Sequence, residues 1–145
     1  MPNASELAQD RLAYFPHDSN ASNDIKCQRL IRRLGWSGYG RWWRVCELLA
    51  SNKGHVIPFS TEEDKLILGD VLRFGDGSNF CELLCIEEVT AFVDQLLSIG
   101  LLQTDENGCL ENPRMHENAL SFGKKRAAGR KGGRPRKNPQ PNQNA

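Results

Sequence analysis

Apolar residues recur with a helical period over four stretches of the chain. From about Asn23 to Leu34, Cys27, Leu30, Ile31 and Leu34 fall at the i, i+3, i+4, i+7 spacing of one helix face, with Lys26, Arg29 and Arg33 roughly opposite. The stretch Gly-Trp-Ser-Gly-Tyr-Gly (35–40) predicts a break. A second helix is expected from about Tyr39 to Ser51, with Tyr39, Trp42, Trp43, Cys46, Leu49 and Ala50 on its inward stripe. A third opens at Ser60-x-x-Glu63, a capping-box spacing, and puts Ile67, Val71 and Phe74 in step. The fourth, about 86–100, turns Val89, Phe92, Val93, Leu96 and Leu97 inward and stops at Gly100; the preceding Phe80–Cys85 reads as a single turn or short helix.

Two stretches carry strand signals. His55–Phe59 predicts a short strand, placed at an edge because Pro58 cannot donate to a neighbour. Leu101–Asn112 predicts a β-hairpin around Asn107-Gly108, a dipeptide suited to a tight primed turn. A last short helix is expected to start at Pro113 and fade near Phe122. The order helix, strand, helix, helix, hairpin predicts a mainly α fold with a small β wing: a winged helix-turn-helix preceded by an extra N-terminal helix. Residues 1–13 are expected as a flexible N-terminus, 14–122 as the domain and 123–145 as a disordered basic tail.

Charge sharpens that division. The net charge of +1 over 145 residues conceals −7 from Met1 to Phe122 and +8 from Gly123 to Ala145, where no acid occurs. A segment without apolar anchors and with one sign of charge is an interaction arm or a solvated end, and the clean separation favours the arm. Within the domain, Ile25–Val45 holds six Lys/Arg and no acid, whereas Ser51–Phe122 carries a net −9. The basic face of one copy could therefore meet the acidic half of another, so self-association is expected to be salt-sensitive. No stretch has the apolar length of a membrane span, and the N-terminus lacks the basic and apolar regions of a signal peptide. Five cysteines without a CxxC pair read as free thiols in a reducing compartment, so a cytoplasmic location is expected, with no metal and no cofactor.

The stretch Tyr14–Leu49 carries a more particular pattern: Phe15-Pro16-His17-Asp18, Asp24, Lys26, Leu30, Gly35, Gly38-Tyr39-Gly40, Trp43 and Leu48-Leu49. It resembles the N-terminal domain of the DnaD-like replisome organisers of Gram-positive bacteria and their phages, over roughly Tyr14 to Glu111. The resemblance implies a winged-helix module that helps to assemble replication machinery on DNA, associated with the bacterial nucleoid. It also implies partners among replisome proteins, such as a helicase or its loader. Gly132-Gly133-Arg134-Pro135 is similar to the core of an AT-hook, with a glycine where the first arginine would stand.

These patterns assign candidate residues. Phosphate binding is expected from Lys124, Lys125, Arg126, Arg130, Lys131, Arg134, Arg136 and Lys137 in the tail, and from Lys26, Arg29 and Arg33 on the first helix. The outward positions of the 86–100 helix include Glu87, Ala91, Asp94 and Gln95; carboxylates there would be repelled by phosphates, so that face is expected to meet protein. A winged-helix transcription regulator and an interaction adaptor with an inert tail remain the alternatives. Catalysis is not expected, since there is no GxSxG, P-loop or HExxH, and no small-molecule substrate is implied.

Overall fold

The computed structural model describes residues 3–75 and 82–132 of the 145. Helix α1 (Ala4–Ala8) begins at Asn3, whose side chain accepts from Glu6 N while the Glu6 carboxylate accepts from Asn3 N, a reciprocal capping box. Residues 1–13 were expected as a flexible N-terminus, and here the structure differs. Leu7 is buried at 4% exposure, and the chain beyond it is tied to the body backbone. Gly54 N donates to Gln9 O at 2.7 Å, Leu12 N to Ala50 O at 2.8 Å, and the buried His55 ring to Asp10 O at 2.8 Å.

The long helix α2 (Ile25–Ser51) starts at Asp24, whose carboxylate caps Lys26 N at 3.0 Å. The expected break at 35–40 shrinks to one residue, Gly35, at φ 72 and ψ −173. Only glycine adopts that backbone without strain, so the chain turns there and resumes helix at Trp36 rather than near Tyr39. The first half is the extra N-terminal helix; the second buries Trp42, Val45, Cys46, Leu49 and Ala50.

Strand β1 (Val56–Ile57) is shorter than the expected His55–Phe59, because His55 belongs to a 3-10 turn at φ 56. Helix α3 (Glu62–Val71) is capped by Thr61 and Asp64, one residue later than Ser60-x-x-Glu63. Hydrogen bonds from the Ser60 and Thr61 amides, the latter the larger effect, hold the Asp64 carboxyl below its usual range. The buried face differs in part from the expected one: Leu68 and Leu72 are in the core, Val71 and Phe74 pack against it, and Ile67 is 59% exposed. Leu66-Ile67-Leu68 offers three consecutive apolar residues, so periodicity alone left the face open.

Helix α4 (Glu82–Ile99) absorbs the expected separate turn into one continuous helix and buries Cys85, Val89, Phe92, Val93, Leu96 and Ile99. It stops at Gly100, φ 95, where the Gly100 and Leu101 amides close back on Leu96 O. Strands β2 (Gln103–Thr104) and β3 (Leu110–Glu111) form the wing, and the antiparallel sheet runs β1-β3-β2, with Ile57 and Thr104 both opposite Leu110. The wing tip is not a primed turn: Gly108 has φ 79, but Asn107 is not in the left-handed region. Asp105 Oδ1 instead accepts from Asn107 N at 2.8 Å and Cys109 N at 2.9 Å, closing the loop by a side-chain turn.

Helix α5 (Pro113–Gly132) runs ten residues beyond its expected end near Phe122, so the segment expected as disordered tail begins as helix. The protein is thus mainly helical with a small β wing, as expected. Leu30, Val45, Leu49, Leu68, Val89, Val93, Leu96 and Leu110 join α2, α3, α4 and the wing in one core.

Candidate nucleic-acid interface

The extension of α5 is basic and anchored. Met115 and Ala119 turn inward, one helical turn apart, and Gly123 continues that face against α1. A Cβ on Gly123 would lie 2.4 Å from Ala4 O and 2.7 Å from Ala8 N, so the two backbones touch where a side chain cannot fit. Arg126 Nη1 reaches Asp10 Oδ2 at 3.3 Å. Lys124 and Lys125 are exposed, and Arg130 and Lys131 lie on the same helix. Arg134, Arg136 and Lys137, with most of the AT-hook-like run, lie outside the described residues.

The six cations of Ile25–Val45 separate into used and unused. Arg41 is structural: its Nε donates to Leu72 O at 2.8 Å, its Nη2 to Arg73 O at 3.3 Å, and its guanidinium stands 4.1 Å from the Phe74 ring centre. It thereby closes the end of α3, where Arg73 takes a left-handed φ of 64. Arg44 pairs with Glu47 one turn on at 3.2 Å. Lys26 Nζ donates to Gly100 O at 3.2 Å, and Arg33 Nη1 to Gln95 Oε1 at 3.1 Å and Ser98 Oγ at 3.4 Å. Arg29 and Arg32 are exposed and have no hydrogen-bond or ion-pair partner among the described residues.

Candidates assigned to two different partners therefore meet. Arg33, expected on phosphate, binds Gln95, expected on protein, because the extra helix lies across the C-terminal half of α4. The outer face of α4, which has no Lys or Arg of its own, receives one from α2. Glu87, Ala91 and Asp94 stay exposed.

Sequence reasoning did not single out Trp36. It is 68% exposed directly after the kink, perpendicular to Tyr39 at 5.7 Å, which stands perpendicular to Trp43 at 6.1 Å. His17 stacks on Trp43 at 3.7 Å, and Asp18 accepts from Arg114 at 3.3 Å. The His17-Asp18 pair so pins the arm before α2, consistent with a structural role. The signal for Trp36 was its place between two glycines in the break, where a helix face cannot be assigned.

A cavity of about 1120 Å³ under the arm is lined by Leu12, Phe15, Trp42, Met115 and Phe122, with Cys27 and Cys46 at its wall. Burial raises both thiols, Cys46 to about 12, so they stay protonated at neutral pH and are poor nucleophiles and metal ligands. No grouping of His, Cys, Asp and Glu suited to a metal occurs among the described residues.

The family model for Lin1244/Lin1753-like proteins, N-terminal, matches residues 14–110. The chain belongs to the Lin1244/Lin1753-like N-terminal family. Comparison with curated proteins and with solved structures returned no match. The Lin1244/Lin1753-like unit runs from the aromatic arm to the end of the wing, while α1 and α5, which pack on each other, lie outside it. Among the described residues no helix is long and apolar enough to cross a membrane.

Proposed function

We propose that this Lin1244/Lin1753-like chain is a non-catalytic DNA-binding protein of phage or prophage replication initiation, acting on the nucleoid in a bacterial cytoplasm. One observation carries the reading: eight cations without a single acid follow Phe122, and the first of them stand on a helix whose base is held against the domain by α1. A rigid base with a basic continuation positions phosphate contacts, which supply affinity without sequence preference. The resemblance of Tyr14–Glu111 to DnaD-like replisome organisers gives the process.

The acidic outer face of α4, with Glu87, Ala91 and Asp94 exposed, is the surface for a protein partner: a second copy, or a helicase or its loader. Salt titration tests the DNA contact. The whole chain should bind duplex with a log–log slope near −5, as about five or six neutralised phosphates require. Serine at Lys124, Lys125, Arg130, Lys131, Arg134, Arg136 and Lys137, with Arg126 kept for Asp10, should flatten that slope to about −2. Equal affinity and slope in the two proteins would refute the reading and leave the tail a solvated end. A footprint on one palindromic operator would instead favour a transcription regulator.

A further inference from the structure

The unused cations of α2 and its exposed indole lie on adjoining turns, either side of the Gly35 kink. Arg32 precedes the Gly35 kink and Trp36 follows it, so their Cα atoms lie within about 14 Å along even an extended chain. Arg29 is one helical turn before Arg33, and both Arg29 and Arg32 remain exposed and unpaired among the described residues. Trp36 is the outer end of a ladder of rings that runs inward through Tyr39 to Trp43 and His17. Its perpendicular contact with Tyr39 fixes the ring, yet leaves it 68% exposed. From Ile25 to Val45 the sequence has no acid that could neutralise this surface.

We infer that Trp36, with Arg32 and Arg29, is a stacking site for unpaired nucleic acid. The inference rests on the reading that this chain binds DNA, and adds a strand preference and a place. Each unit of an unpaired strand offers one anion and one flat ring, which matches two free guanidinium groups within a few residues of an exposed indole. In a duplex the base faces are covered by their neighbours, so Trp36 has nothing to stack on and only the phosphates remain available to the arginines. An acidic peptide would satisfy the arginines and leave the indole without a flat partner. The tail then holds duplex or strand by charge alone, while this site selects the opened strand.

Fluorescence separates this site from the tail, because Trp42 is buried and Trp43 is covered by His17. Oligo-dT titrated into the whole chain should quench emission. Trp36→Phe should lose most of that quenching while retaining most of the affinity. Trp36→Ala should weaken oligo-dT binding about tenfold, near the low end for losing one stacked base, and leave duplex affinity unchanged. Arg29→Ala with Arg32→Ala should reduce the salt slope on oligo-dT by about 1.4, two phosphates' share on single strands. Unchanged oligo-dT affinity in Trp36→Ala, with duplex binding intact, overturns the stacking site but not the DNA-binding reading. Absence of binding to both strands in the unaltered chain overturns both. Loss of self-association in Trp36→Ala, with oligo-dT binding unaltered, assigns the surface to a second copy and also overturns the inference.

Discussion

Replacing Gly123 by alanine should detach α1 from α5. The added Cβ would stand 2.4 Å from Ala4 O, 2.7 Å from Ala8 N and 3.0 Å from Ala8 Cα, and every one of these is backbone. No side-chain rotation relieves the contact, so the helices must separate or α1 must leave. Departure exposes Leu7, whose burial contributes about 1.5–3 kcal/mol, and loosens the Arg126–Asp10 pair, which contributes under about 1 kcal/mol at its exposed position. Alanine returns up to about 1 kcal/mol of helix propensity to α5, which stabilises α5 itself but not its contact with α1. A local loss of about 2 kcal/mol corresponds to a roughly thirtyfold fall in hydrogen-exchange protection. The Leu7 amide, bonded to Asn3 O at 2.9 Å, should show that fall. The Leu12 amide, bonded to Ala50 O in the body, should keep its protection. Gly129→Ala is the control: nothing lies within 4 Å of a Cβ there, so α5 should gain stability with no change at Leu7. Unaltered protection at Leu7 in Gly123→Ala, with the folded body intact, would refute the close crossing and with it the anchored base of the basic helix.

Thr61→Ala should cost about 1 kcal/mol in urea unfolding and Ser60→Ala distinctly less, because the Thr61 hydroxyl caps α3. Arg41→Ala should cost about 2 kcal/mol, from its charged hydrogen bonds to Leu72 O and Arg73 O and its place on Phe74, with Arg41→Lys recovering part. Burial raises the Cys46 thiol from 9.0 to about 12, so its contribution is fully present below pH 9 and is lost as pH rises toward 12. The loss of unfolding free energy from pH 8 to pH 10 should be smaller in Cys46→Ala by about 1.4 kcal/mol. Glu87→Ala with Asp94→Ala should leave DNA affinity unchanged or slightly raised; a tenfold loss in a folded variant would place the outer face of α4 on DNA.

Local rules were enough for much of this protein. The 86–100 helix, its stop at Gly100 and the wing were legible because each rests on neighbours in sequence: a strict apolar period, a left-handed glycine and a short return. The ordering of elements, and so the mainly α fold with a β wing, followed from them. Where several local choices had similar energy, tertiary packing decided. Leu66-Ile67-Leu68 presents three apolar faces, and Leu68 and Leu72 won because Gly69 lets α3 approach Cys85 and Val89 of α4. The 35–40 break could have been a loop, yet Gly35 alone bends the chain once Trp42, Val45 and Leu30 share one core. Residues 4–8 hold one large apolar side chain, Leu7, and residues 123–132 none, and each segment is ordered by a contact more than a hundred residues away in sequence. The candidate site divides in the same way. Charge separation was visible as composition, but which cations are free depends on where Leu72 O, Gln95 and Gly100 O lie in space. Hydrogen-bond partners far apart in sequence are fixed only when the helices pack, and that packing left Arg29, Arg32 and Trp36 on the surface.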